Sequence, residues 1–190
     1  MATSVGATPA AETSAVATSA AGGPGASAKR WRLRPATDAD RELLFCVYAS
    51  TRMEELAVVP WSEREKEEFL RFQFEAQDRH YREHFPQTRF DVIEVAGKAA
   101  GRLYVDRRDD EIRLVDIALL PAFRGSGVGR ALVTELLDEG ANRGVVVRIH
   151  VERENRAMTL YRRLGFEKVE EQGVYDLMEW RPTADPEPTS

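Results

Sequence analysis

The chain has 190 residues, 43 % of them hydrophobic and 31 % charged, with a formal net charge of −5; this suits one domain with a core large enough to stand without staples and argues against a nucleic-acid binder. Its one cysteine, Cys46, excludes an internal disulfide and implies a reducing, cytoplasmic setting with a buried, inert thiol. No run approaches the roughly 18 apolar residues of a membrane span.

The first 28 residues are almost wholly Ala, Ser, Thr and Gly, without the basic start of a signal peptide or the arginines of a transit peptide. Large apolar side chains are too few there to build a core, so residues 1–29 are expected to be disordered, as are residues 182–190. The domain is then 30–181. Its first strand is predicted at 31–34, before Pro35. A helix starts at Thr37 and Asp40, with Leu43, Leu44, Val47 and Tyr48 at helical spacing, and Ser62 with Glu65 makes a capping box for a second helix to about His84. Phe69, Phe72, Phe74 and Tyr81 lie along that second helix, and Phe69 and Phe72 read as core. Residues 90–95 and 99–105 form a hairpin around Gly97-Lys98, and residues 107–110 turn into a central strand, 112–120. After a helix beginning near residue 129 come a strand at 145–151, a helix carrying Tyr161, and a terminal hairpin (166–170 and 174–180) around Gln172-Gly173. The sum is an α/β (α+β) domain: a mixed, mostly antiparallel sheet with helices on both faces.

The junction between the central strand and its helix reads R-G-S-G-V-G-R over residues 124–130. Glycines at 125, 127 and 129 let backbone approach a ligand closely or take positive φ, so that successive N–H groups converge on phosphate oxygens. The helix start adds free N–H groups and a positive dipole end, and Arg124 and Arg130 add charge. Pyrophosphate is the group such a loop suits.

Downstream, residues 155–166 read N-R-A-M-T-L-Y-R-R-L-G-F. The glycine loop, a helix, an apolar strand and this second motif, in that order, resemble the GNAT superfamily of acetyl-CoA-dependent N-acetyltransferases over about residues 31–180, most strongly from 115 to 166. The resemblance implies the acyl-CoA N-acyltransferase fold and acetyl-CoA as co-substrate, with no metal. It also implies that Arg124, Gly125, Ser126, Gly127, Val128, Gly129 and Arg130 hold the pyrophosphate, that Asn155 contacts the pantetheine arm and that the Tyr161 hydroxyl lies near the thioester sulfur. In relatives the central strand splays from its neighbour, here expected after Ala118, freeing an N–H of Ile117 or Leu119 for the acetyl carbonyl.

Chemistry supports Tyr161 independently, because attack of an amine on a thioester expels a thiolate, and a phenol with a pKa of about 10 is a proton donor at neutral pH. A packing role is the alternative. For the general base, Asp116 is the leading candidate. It interrupts the apolar run 114–119, where an unpaired carboxylate is costly; a structural Asp paired with an arginine such as Arg113 is the other reading. Glu94 and Glu111 are further candidates for the base. The acceptor is expected to be a small-molecule amine bound among the first two helices and the terminal hairpin, with Glu54, Glu55, Asp78, His80, Tyr81 and His84 as lining residues. No nucleic acid or membrane partner is expected, and a homodimer is left open. Two other classes stay in view: a non-catalytic acetyl-CoA sensor, and a dinucleotide oxidoreductase with Glu152 on a ribose, against which Arg130 occupies the third glycine position of that fingerprint.

Overall fold

A computed structural model describes residues 29–183; the expected disorder of the two tails concerns residues that lie almost wholly outside that range. In chain order the elements are β1 (Trp31–Pro35), α1 (Arg41–Leu56), α2 (Glu63–His84), β2 (Arg89–Val95), β3 (Lys98–Arg107), β4 (Glu111–Leu119), α3 (Val128–Arg143), β5 (Val146–Glu152), α4 (Met158–Arg163), β6 (Glu167–Gln172) and β7 (Tyr175–Trp180). Local chemistry sets most of the boundaries. Ser62 and Glu65 close the capping box of α2, and Thr37 with Asp40 closes another in the short 3-10 turn that leads into α1. Asp40 also takes both terminal nitrogens of Arg34, at 2.6 and 2.8 Å, and so ties that turn to β1. The β2–β3 turn falls on Ala96-Gly97, one residue before the expected Gly97-Lys98; Val95 pairs with Lys98, and φ of 49° and 76° at the two central residues are those of a type I′ turn.

The seven strands form one sheet in the order β1-β2-β3-β4-β5-β7-β6. All neighbours are antiparallel except β4 and β5, which the loop and α3 connect as a crossover. One face carries α3 and α4: Leu132, Val133, Leu136, Met158 and Phe166 pack on Ile112, Leu114, Val147 and Ile149. The other face carries α1 and α2, through Leu44, Tyr48, Leu70 and Phe74 over Val92. Two expectations fail here. Phe72 is 71 % exposed, since the buried arc of α2 runs through Leu70 and Phe74. Cys46 is exposed too, because Leu44, Phe45, Val47 and Tyr48 occupy the inward arc of α1 and leave position 46 on its back.

One irregularity sets where Asp116 points. The β3–β4 register steps from Tyr104↔Asp116 to Val105↔Leu114, so Val115 is an unpaired bulge residue. Before it, Ile112 and Leu114 face the α3 core; after it, Ile117 and Leu119 do. The inserted residue therefore turns Asp116 onto the α1/α2 face, where strict alternation would have buried it with Leu114.

Candidate active site

Pairing of β4 with β5 ends at Leu114↔Ile149, so the two strands separate from Val115 onward. The split opens at the bulge rather than after Ala118, as expected from the sequence. Leu120 N–H donates to Ala100 O at 2.8 Å. By alternation the N–H groups of Ala118 and Leu120 serve β3, and those of Ile117 and Leu119 face the gap.

The glycine loop lies at the head of the gap. Gly125 and Gly127 have φ of 70° and 85°, and Gly127 is the residue from which α3 starts. The first N–H used inside α3 is that of Ala131, which donates to Gly127 O at 3.0 Å, leaving those of Val128, Gly129 and Arg130 at the helix start. A Cβ on Gly129 would meet only Leu119 Cδ1, at 3.8 Å, so the protein's own packing does not demand glycine there; a group lying on the helix start would. Ser126 Oγ donates to Phe123 O at 2.6 Å and steadies the loop. Arg130 has no side-chain partner among the described residues. Arg124 is committed elsewhere: its Nε donates to Leu119 O at 2.8 Å and its guanidinium to Ser50 O and Oγ at 3.1 and 2.9 Å, making it a strut between β4 and α1. Asn155 Oδ1 accepts Ala157 N–H at 2.8 Å, an Asx turn just before α4 that leaves the side-chain NH2 without a partner among the described residues.

Tyr161 is buried, edge-on to Phe166 at 5.6 Å between ring centroids. Burial first, and then the charge of Asp116, push its phenol well above the usual tyrosine range. Asp116 Oδ2 accepts from Arg102 at 2.5 Å and from the Tyr81 hydroxyl at 3.3 Å. Its arginine is thus Arg102 on the neighbouring strand, while Arg113 pairs with Glu111. Arg102 and Gln77, which donate and accept across 2.9 Å, escaped the sequence reading; the available signal was a single arginine inside the apolar run 99–105. Burial also raises Tyr81, with Asp116 adding to it, and takes Tyr104 up to about 12.

The other carboxylates singled out in the sequence are held by arginines. Glu152, at the end of β5, pairs with Arg52 at 3.0 Å and accepts from Tyr175 at 3.2 Å. Glu54 pairs with Arg156 at 2.8 Å and Glu55 with Arg52 at 2.8 Å, so α1 is tied to both sides of the β5–α4 connection. Glu94 lies between Arg32 and Arg34, and Glu111 among Arg108, Arg113 and Arg148; neither joins the Asp116 cluster. His80 and His84, on either side of Tyr81 in α2, stack on each other at 4.0 Å, with His84 Nδ1 at 2.8 Å from His80 O. Asp78 pairs with Arg82 at 2.9 Å.

A mixed sheet split between its two parallel strands, with a glycine-rich helix start at the split, is matched by the model of the Acetyltransferase (GNAT) family over residues 50–166. The chain belongs to this family. It is similar to the N-alpha-acetyltransferase RimI of Mycobacterium tuberculosis, 43 % identical over 60 residues, which is 31 % of this chain and 37 % of that protein. The [ribosomal protein bS18]-alanine N-acetyltransferase of Haemophilus influenzae is 36 % identical over 62 residues, 32 % of this chain and 42 % of that one. The matched stretch therefore spans less than half the length of these curated relatives. Among solved structures, the PaiA N-acetyltransferase of Thermoplasma acidophilum in complex with coenzyme A superposes with a TM-score of 0.60 at 19 % identity, covering 80 % of this chain and 98 % of that one. The ribosomal-protein-S18-alanine N-acetyltransferase of Escherichia coli gives 0.52 at 23 %, covering 84 % and 99 %. These likenesses establish the acyl-CoA N-acyltransferase fold. The sheet is not the doubly wound sheet of a dinucleotide oxidoreductase, and the end of β5 holds Glu152 in an ion pair with Arg52.

Proposed function

We propose that this protein is an acetyl-CoA-dependent N-acetyltransferase acting on a small primary amine. One observation carries the reading: the β4–β5 split has unpaired N–H groups along one wall, a glycine-rich helix start at its head and a buried phenol on the α4 side. Acetyl-CoA, when bound, supplies the activated acyl group as a thioester. The N–H groups of Gly125, Ser126, Gly127, Val128, Gly129 and Arg130, with the Arg130 guanidinium, hold the pyrophosphate. Arg124 supports this loop through Leu119 and Ser50. The Asn155 amide meets the pantetheine arm. The N–H of Ile117 or Leu119 holds the acetyl carbonyl, a preorganised contact worth about 3 kcal/mol in such sites. Tyr161 holds a proton at Oη and gives it to the departing sulfur.

The amine approaches from the α1/α2 face, where Asp116 and Tyr81 meet. Arg52–Glu152 and Arg156–Glu54 run from α1 to the end of β5 and the segment after it, and they narrow that approach in favour of a small acceptor. Similarity to an N-alpha-acetyltransferase and to a ribosomal-protein-alanine N-acetyltransferase favours a second function, in which the amine is the α-amino group of a protein chain. Among the described residues no helix is long and apolar enough to cross a membrane; the chain's single cysteine, Cys46, supports a reducing, cytoplasmic setting. Calorimetry with acetyl-CoA, and thiol release across a panel of small amines and an Ala-initiated peptide, test the function. Micromolar binding that Gly127→Val abolishes and Arg130→Ala weakens about tenfold, together with turnover of a small amine, is the expected result. Tight binding without turnover of any amine indicates a coenzyme sensor. NAD binding in place of acetyl-CoA refutes the assignment.

A further inference from the structure

Asp116 stands at the floor of the acceptor approach, yet its charge is already answered. The groups around it are Arg102, at 2.5 Å, and its register partner Tyr104 from β3, the Tyr81 hydroxyl at 3.3 Å from α2 and, within electrostatic reach, Tyr161 from α4. Three are neutral phenols and one is a permanent cation, because a guanidinium does not lose its proton in a protein. Arg102 is fully buried, and its Nε lacks an acceptor. Burying a charged pair costs several kcal/mol per ion before attraction repays it, and an orphaned buried donor costs about 1–3 kcal/mol more. A stability role alone would be served as well by apolar side chains of the same volume.

An amine would feel the pair as follows. A lone carboxylate within about 4–6 Å favours the ammonium form and raises the amine's pKa by about 1–3 units, which traps the acceptor in its unreactive state. A carboxylate already paired with a guanidinium has no net charge to do this, but keeps a lone pair free for an N–H.

We propose that Arg102 is a positioning residue of the acceptor site: it cancels the charge of Asp116, so that Asp116 accepts one N–H of the neutral amine instead of trapping it as ammonium or taking its proton. This rests on the acetyltransferase reading. The ammonium gives one proton to solvent on binding, one N–H of the resulting amine is donated to Asp116, and the nitrogen lone pair is left for the thioester.

The test is calorimetry of alaninamide and an Ala-initiated tetrapeptide binding to the full chain loaded with coenzyme A, in buffers of different ionisation enthalpy at pH 7. An α-amine of pKa about 7.7–8.0 is about nine-tenths protonated there, so the wild type is expected to release about 0.9 proton per amine bound. Arg102→Gln releases almost none, and its pH–rate profile with acetyl-CoA moves alkaline by about one unit or more. Arg102→Lys keeps the wild-type behaviour. Arg102→Gln with Asp116→Asn, which removes both charges and so guards against a misfolded single variant, restores both proton release and profile. Rescue of this kind is not expected of a purely structural arginine. The proposal is overturned if the wild type binds either amine without proton release, if neither amine binds the coenzyme-loaded protein, or if Asp116→Asn alone removes the ionisation that controls the rate. Proton release without acetyl transfer would instead refute the acetyltransferase reading and leave the role of Arg102 standing.

Discussion

Replacing Tyr161 by Phe removes one oxygen from a ring that is 4 % exposed and leaves its edge contact with Phe166 in place. Among the described residues nothing hydrogen-bonds that hydroxyl, so folding stability is expected to change by less than about 1 kcal/mol. Catalysis is expected to change far more. Positioned general acids contribute about 10²- to 10⁴-fold, and a thiolate whose conjugate acid has a pKa of about 8.5 leaves fairly well unaided, which puts the loss near the low end. The expected effect is therefore about a hundredfold in kcat, or about 2.7 kcal/mol of barrier, with acetyl-CoA affinity unchanged because the proton is needed only as charge develops on sulfur. Thiol release at saturating substrate, with single-turnover kinetics to show that chemistry limits the rate, reads kcat; calorimetry reads affinity and thermal denaturation reads stability. A wild-type kcat in the variant with chemistry rate-limiting would reduce Tyr161 to a packing residue, and an equal fall in affinity would place its hydroxyl in coenzyme binding.

Gly101→Ala should destabilise the protein by about 1–3 kcal/mol or prevent folding, since a Cβ there would lie 2.2 Å from Ala118 O on the adjacent strand; chemical denaturation checks it. Asp40, held well below the carboxylate range by Arg34 and by the Thr37 hydrogen bonds, contributes stability that is present above its unfolded value of 3.8 and lost as pH falls below it. Asp40→Asn is accordingly less stable at neutral pH and loses less between pH 4 and 2, as urea titrations at several pH values will show. At the other extreme, Tyr81 and Tyr161 are raised above their unfolded value of 10, so the stability they protect is intact below pH 10 and falls as the pH climbs past it; the single Phe variants should each flatten that alkaline limb.

The features legible in the sequence are those carried by neighbouring residues. The α2 capping box, the glycine loop into α3 and the strand–helix order all rest on contacts within a few positions, and the helix spacing of Leu44, Val47 and Tyr48 matches their burial. What escaped was set by partners distant in sequence. The partner of Asp116 is fourteen positions away on another strand, and the split opens at Val115 because of a register step that no local pattern marks. Cys46 misleads in a simpler way: it sits between Phe45 and Val47, but at about 100° per residue a helix turns the middle of such a run outward. For Arg124 the neighbouring glycines point to phosphate, while the acceptors at Leu119 on β4 and Ser50 on α1 are brought to it by the fold.

All five tyrosines of the chain converge on one region: Tyr81, Tyr104 and Tyr161 feel the charge of Asp116, Tyr48 that of Arg102, and Tyr175 donates to Glu152. The three tryptophans, Trp31, Trp61 and Trp180, belong to β1, the α1–α2 connection and β7. Phenol absorbance in this protein thus has no bystanders. An alkaline spectrophotometric titration would report on that region alone, and a bound amine or coenzyme that displaces water from it should move the tyrosinate signal while leaving the indole emission of Trp31 untouched, so the molecule carries its own optical probe.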